Sequence, residues 1–224
     1  LIAPLTTIKG LGDAAIDEII EKRPFTSVEQ LLFDGGGVAR KLNKKSLDAL
    51  CRASAMTDLI DDRFTGDKHF WSAVVVDKPK NKKKLNENIE SYKPEGSFST
   101  SEKIQNIQTL TGIYPISMVM SERALKIIDN YKIPPISEYD LDLGAAWCIP
   151  IKLNSKKSKN GKWFYTIDVI DSNSKVTRIR CWGVDPQRDT IFLNKPYVLK
   201  YPKYNETWGF STYGAVDKKW MMIG

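Results

Sequence analysis

Leu5-Thr-Thr-Ile-Lys9-Gly10-Leu11-Gly12-Asp13-Ala-Ala-Ile16-Asp-Glu-Ile-Ile20 is the stretch from which the rest of this 224-residue chain is read. Two glycines flank one apolar residue, Lys9 precedes them, and an amphipathic run follows. Leu11 is expected to tuck inward and leave the bare backbone of Gly10 and Gly12 facing out. Amide N–H groups at a helix start, with no side chain in the way, make a seat for phosphate. Ala14 and Ala15 are small enough for two helices to cross close to the turn. Ile16, Ile19 and Ile20 continue from Leu11 at helical spacing, which predicts a helix from Asp13 to about Lys22 with one buried stripe. Asp13 is the expected N-cap, Asp17 and Glu18 favour the positive end of the dipole, and Arg23-Pro24 ends the helix.

Downstream, Ser27 reads as the cap of a short helix through Leu32 and Phe33. Gly35-Gly36-Gly37 is a break without the following Lys-Ser/Thr of a nucleotide loop. Leu42-Asn43-Lys44-Lys45-Ser46-Leu47-Asp48-Ala49-Leu50-Cys51 reads as a further helix with Lys44 and Lys45 at its start, placed either to meet phosphate or to form a solvated face.

Taken in order, Ile-Lys9-Gly10-Leu11-Gly12-x-x-Ala, Ile19-Ile20, Arg23-Pro24-Phe25-Thr26-Ser27, Leu42-Asn43-Lys44-Lys45-x-Leu-x-Ala-Leu and Ala53-x-Ala55 resemble the tandem helix-hairpin-helix region of the bacterial DNA polymerase III α subunit, the family C replicative polymerases. The resemblance covers Leu5 to about Leu59. It implies that Lys9, Gly10, Leu11 and Gly12, with Lys44 and Lys45, hold the backbone of duplex DNA without reading its sequence. It also implies a parent nucleotidyltransferase using Mg2+, with the catalytic part N-terminal to Leu1, so that the chain is a piece of a longer protein. In that family a connector often carries a sliding-clamp peptide of the Gln-x-x-apolar-x-Phe kind. Gln30-Leu31-Leu32-Phe33 is one residue short of it and reads as core helix.

Between 62 and 144 the pattern is mainly helical. Phe70 to Val76 is a buried segment of strand or helix, Asp77 to Lys84 a lysine-rich turn, and Asn86 to Gly96 a polar, mobile stretch. Ser101 and Ser121 read as caps of two helices, and Pro134-Pro135 stops the second. Past residue 145 the period changes to two. Trp147–Leu153, Trp163–Ile170, Lys175–Trp182, Tyr197–Lys200 and Trp208–Tyr213 read as five short strands, with a basic hairpin at 154–162 and room for a helical turn at 183–193. Position after the hairpins and this pattern resemble the oligonucleotide/oligosaccharide-binding (OB) barrel of the same family. The expected fold is therefore α+β, with a helix-hairpin-helix domain at 1–61, a connector at 62–144 and a five-stranded OB-type barrel at 145–224.

In the barrel, alternation turns Tyr165, Ile167 and Val169 inward and leaves Phe164, Thr166 and Asp168 on the other face. Arg178 and Arg180 share a face with Trp182, opposite Ile179 and Cys181, although a slip of one residue would exchange the arginines for Ile179. Guanidinium groups beside aromatic rings suit single-stranded DNA, because arginine meets phosphate while rings stack on bases. Lys156, Lys157, Lys159 and Lys162 are expected to flank this groove, and Tyr204 and Trp208 to form its other edge.

Charge placement agrees with that expectation. Residues 1–61 hold 8 Lys/Arg against 9 Asp/Glu and residues 62–144 hold 12 against 12, whereas residues 145–224 hold 14 against 6. The whole excess of the net +7 thus lies in the last third, where a polyanion would be met. Three scattered cysteines without a Cys-x-x-Cys fit reduced thiols, and one histidine without paired ligands argues against zinc. No carboxylate cluster of the kind that holds two catalytic metal ions is found, Asp140 and Asp142 being two carboxylates at a boundary, and neither a Ser/His/Asp set nor a Walker loop is present. The expected activity is DNA binding without catalysis or cofactor in this piece, by a monomer with no membrane segment, in the cytoplasm of a bacterium or a phage host. A replisome scaffold facing an acidic partner and a stand-alone DNA-binding accessory protein are the alternatives.

Overall fold

The computed structural model describes residues 4–33 and 42–224, and the Gly35–Gly37 break lies outside them. The chain is α+β and divides into two compact units, Leu1–Tyr114 and Pro115–Gly224. The segment from 62 to 144 is thus shared between two units. Its first half completes the core begun by the hairpin.

In the first unit, Ile8 and Leu11 enter the core, as the apolar residue between two glycines leads one to expect. Gly10 turns the chain at φ +93°, a conformation that side chains beyond glycine rarely adopt. Helix α1 (Asp13–Lys22) starts from Gly12 as N-cap, one residue earlier than Asp13. The Gly12 carbonyl accepts from the Ala15 and Ile16 amides, so Asp13 falls in the first turn, where its negative charge complements the positive end of the helix dipole. Ala15 and Ile16 are buried, but Ile20 is 48% exposed, so the apolar stripe is narrower than the sequence spacing predicts.

Helix α2 (Val28–Phe33) buries Val28, Leu31 and Leu32, and its Gln30 amide bonds to Ser27 Oγ at 3.2 Å. The Gln30 carboxamide accepts from the Thr26 amide at 2.7 Å. That glutamine is committed to the local turn. Helix α3 (Lys44–Arg52) is capped by Asn43, whose side chain accepts from the Ser46 amide.

Phe70 to Val76 is helical. Helix α4 (Asp67–Trp71) runs into a π turn at Ser72–Val76 whose side chains Ala73, Val74 and Val75 are buried. A wide π turn leaves carbonyls to satisfy. Asn88 donates to the Ala73 and Asp77 oxygens at 2.9 and 2.6 Å, and Lys44 Nζ donates to the Val76 oxygen at 2.8 Å. The polar stretch expected to be mobile is mostly helix α5 (Lys82–Tyr92), started by an Asn81 cap. It is seated by few apolar side chains, Leu85 and Ile89 one turn apart with Tyr92 packed beside them, and by the buried Asn88. Helix α6 (Thr100–Thr111) begins at Ser99, not Ser101, in a reciprocal capping box with Glu102. One core runs from Ile8 to Leu110 through all these elements.

The second unit opens with helix α7 (Glu122–Asn130), capped by Ser121 as expected, and continues into a sheet. That sheet has seven strands, not five: β1 (Ala145–Lys157), β2 (Trp163–Ile170), β3 (Thr177–Trp182), β4 (Tyr197–Lys200), β5 (Lys203–Asn205), β6 (Gly209–Tyr213) and β7 (Trp220–Met222). The spatial order is β5-β6-β3-β2-β1-β4-β7, a curled open sheet without the closing pair of a five-stranded barrel among the described residues. β5 and β7 are three residues each, too short to show a period, and they occupy the two edges. β1, β2 and β3 form an antiparallel meander, β1 also pairs with β4, and β3 pairs with β6 in parallel. This pairing is compatible with an OB-like fold. The 183–193 gap holds a tight turn in which the Asp189 amide bonds to the Asp185 carbonyl. A short helix α8 (Val216–Lys219) precedes β7, and the sheet curls around Tyr165, Ile167, Val169, Ile179, Cys181 and Trp220.

Candidate nucleic-acid interface

The hairpin turn is held from behind and open in front. Behind, the Lys9 amide donates to the Leu110 carbonyl at 2.8 Å, and Leu11 is buried. In front, Lys9, Gly10, Gly12, Asp13 and Ala14 are exposed. Ala15 and Ile16 are the first residues of α1 whose amides find the Gly12 carbonyl, so the Asp13 and Ala14 N–H groups have no acceptor among the described residues. Open amides at a helix start carry partial positive charge and suit an oxyanion.

Helix α3 delivers a lysine to this turn. A Cβ built on Gly10 would lie 3.4 Å from Lys45 Cε and 3.8 Å from Ala49 Cβ. Both are ordinary packing distances, so the Lys45 stem lies directly against the turn, and it is the φ of +93° that calls for glycine there. Lys44 differs, because its ammonium is spent on the Val76 carbonyl. The structure brings Lys45 to Lys9–Gly12 and sends Lys44 toward the π turn.

On the sheet, the register puts the arginines outside. Phe164 pairs with Trp182, Thr166 with Arg180 and Asp168 with Arg178, while Ile167 faces Ile179 in the core. The outer face therefore carries a grid. One row is Lys156, Phe164, Trp182 and Tyr213, and the next is Asn154, Thr166, Arg180 and Ser211. Phe164 and Trp182 stack at 4.4 Å with planes 24° apart.

Both guanidinium groups are already engaged. Arg178 grips Asp168 with its Nε at 2.6 Å, and that hydrogen bond holds the Asp168 carboxyl below the usual carboxylate range. Arg180 donates to the Trp208 carbonyl and lies over its indole, 5.4 Å from the ring centre. Trp208 and Tyr204 thus reach the arginine edge of the face, carried by the β5–β6 hairpin. Of the four lysines, Lys156 and Lys157 belong to the end of β1, with Lys157 over the Trp163 ring at 4.8 Å, whereas Lys159 and Lys162 lie in the turn that follows. Lys162 also lines a shallow cavity with Trp182 and Tyr213.

Residues 1–65 match the family model described as a helix-hairpin-helix motif. No curated protein matches the chain. The helix-hairpin-helix match supports nucleic-acid binding, and it spans the hairpin, α1, α2 and α3 that build the open turn. Sequence reading put Asp168 on the outer face, where the structure has it, but missed its bond to Arg178, and it missed Tyr213, which joins through the parallel β3–β6 pairing that nothing local encodes. His69, the single histidine, is fully buried; its Nδ1 accepts from the Thr65 amide and its Nε2 meets the Ile89 carbonyl at 2.7 Å. It is a packing residue. Burial also pushes the Cys148 and Cys181 thiols up, away from reactivity.

Proposed function

We propose that the chain is a non-catalytic, DNA-binding part of a family C replicative polymerase, acting with a bacterial or phage replisome in the cytoplasm. The observation that carries the reading is the open Gly10–Gly12 turn with Lys45 across it, inside the stretch that matches the helix-hairpin-helix motif. Lys9 and the 10–14 backbone would seat duplex phosphates, which gives grip without sequence choice. The outer face of the sheet would take single-stranded template: bases on Phe164 and Trp182, phosphates on Arg178, Arg180 and the lysines of the β1–β2 hairpin. Supporting this is the +8 balance of residues 145–224, all of it outside the duplex-binding part.

Among the described residues no group of three or more His, Cys, Asp or Glu could hold a metal ion. The described residues do not fit the Mg2+ pair of a polymerase centre, and the role proposed for them involves no chemical step.

The test is anisotropy of labelled single-stranded and duplex oligonucleotides across a salt series. Gly10→Val/Gly12→Val is expected to lower duplex affinity. Arg178→Ala/Arg180→Ala is expected to lower single-strand affinity and flatten its salt slope by roughly 0.7 per lost phosphate contact. Salt-independent or absent binding to both forms would reject the DNA roles and favour a protein-facing scaffold.

A further inference from the structure

The sheet unit holds a second concavity, where the β5–β6 hairpin, the β2–β3 turn and the segment before β1 come together. It encloses about 730 Å3, a volume in the range of small-molecule sites. Its wall is a chain of linked rings: Tyr139 meets Phe210 edge-on at 6.0 Å, and Phe210 meets Tyr204 at 5.0 Å. Trp208 stands at the rim, 65% exposed, and Tyr204 is 54% exposed. Three cations line the cavity, Lys175, Arg178 and Arg180, against one acid, Asp140; Arg178 is paired with Asp168, which leaves one positive charge in excess.

We infer that this cavity takes one nucleotide of a bound single strand, its base against the ring wall and Trp208 and its phosphate on Arg180 and Lys175. The inference rests on the single-strand reading of the outer face and adds a separate place where one base leaves the sheet. Charge selects the ligand class. An excess of cations inside an aromatic cavity repels ammonium ligands and suits a planar ring that bears an anion.

Register supplies the route. Arg180 belongs both to the cavity and to the row next to Phe164–Trp182, two residues along the strand, or ~7 Å. A strand lying on the outer face therefore reaches the cavity at Arg180 without crossing the sheet. The rings differ in availability as well. Phe164 and Trp182 already cover one face of each other; Trp208, with Arg180 over one face, and Tyr204, packed on Phe210, still keep most of their surface exposed beside the cavity.

The experiment is calorimetric titration of the full chain with thymidine 5′-monophosphate, thymidine and inorganic phosphate at constant ionic strength, beside anisotropy of a labelled oligo-dT strand. The monophosphate is expected to bind saturably, with thymidine and phosphate about tenfold weaker or more. Trp208→Ala and Tyr204→Ala alter exposed side chains, so thermal melts should match the parent, and each should weaken the monophosphate by about tenfold. Both should also weaken oligo-dT, whereas Phe164→Ala should weaken oligo-dT and spare the monophosphate. Oligo-dT binding indifferent to Trp208→Ala and Tyr204→Ala overturns the cavity assignment and leaves the outer-face reading standing. Failure of oligo-dT to bind at all removes both. A glutamate-rich peptide that displaces the monophosphate and occupies the cavity more tightly also overturns the assignment, in favour of an acidic protein partner.

Discussion

A methyl group added at Gly12 meets no heavy atom within 4 Å, and the φ of −84° there is one that alanine accepts. Gly12→Ala should therefore cost no more than about 1 kcal/mol of stability, as a changed N-cap. Placed on the open amide face, the same methyl should reduce duplex affinity several-fold in a filter-binding or anisotropy assay. Unchanged affinity would mean that phosphate does not sit at this turn. His69 makes the opposite case. His69→Ala removes two hydrogen-bonding atoms from a site with no exposed surface and leaves the Thr65 amide and Ile89 carbonyl bereft, which should cost about 2–4 kcal/mol in a urea melt with DNA binding retained. At this scale the sequence was informative wherever one residue faces one environment. Leu11 between glycines, and Tyr165, Ile167 and Val169 at alternate positions, lie as their pattern predicts. Lys44 and Lys45 do not separate in sequence, because what distinguishes them is a carbonyl supplied by a π turn more than thirty residues away.

On the outer face, strands β2 and β3 place a carboxylate directly opposite an arginine, and that pair sets how much charge the sheet offers. Asp168→Asn would release Arg178 while keeping the shape. Single-strand affinity should rise, and the salt slope should steepen by up to roughly 0.7, as a guanidinium shared between Asp168 and phosphate becomes a full phosphate contact. A slope equal to the parent's would show that Arg178 lies off the path of the strand. The variant should also be insensitive to acid in this respect. In the parent, the Arg178 bond keeps Asp168 ionised below the usual range, so the pair persists until the pH falls well under about 4. Elements with a clear period or cap were legible, including α1, α7, β2 and β3. Those held by few apolar residues were not. Helix α5 rests on Leu85 and Ile89, β5 and β7 have three residues each, and the continuation of β1 through Lys157 is lysine-rich, so composition pointed to loop where pairing makes strand.

Two compact units of similar size, meeting in sequence between Tyr114 and Pro115, imply that unfolding need not be a single transition. Limited proteolysis should yield a resistant fragment ending near residue 114 and another starting near 115. Heating should show two calorimetric components unless the units melt together. Acid should act on the first unit through the Arg63 cluster, where Arg63 bonds Glu29 at 2.6 Å and Asp61 at 2.7 Å and holds both carboxyls below their ordinary range. Groups depressed by folding contribute stability above the unfolded carboxylate pKa, about 4, and lose it as pH falls through their folded values. Partial exposure limits the contribution to about 1 kcal/mol. Arg63→Ala should accordingly lower the urea midpoint at pH 7, with the gap to the parent closing as the pH falls below the unfolded carboxylate range and through the folded values. The boundary at 114 was hidden in the sequence because α4, α5 and α6 lend side chains to a core started at Ile8, roughly sixty to a hundred residues earlier, which no local composition shift marks.

The thirteen-residue strand β1 belongs to two ladders, pairing with β4 through Ala145–Cys148 and with β2 from Ile149 onward. Seen in time, this makes it the slow clock of the sheet. Fluctuations that peel β7 or the β5–β6 hairpin expose edge amides to solvent within brief openings, yet the strand at the junction stays protected until both halves release it together. Deuterium should enter the unit from its two edges and reach Ile149 and the residues around it last.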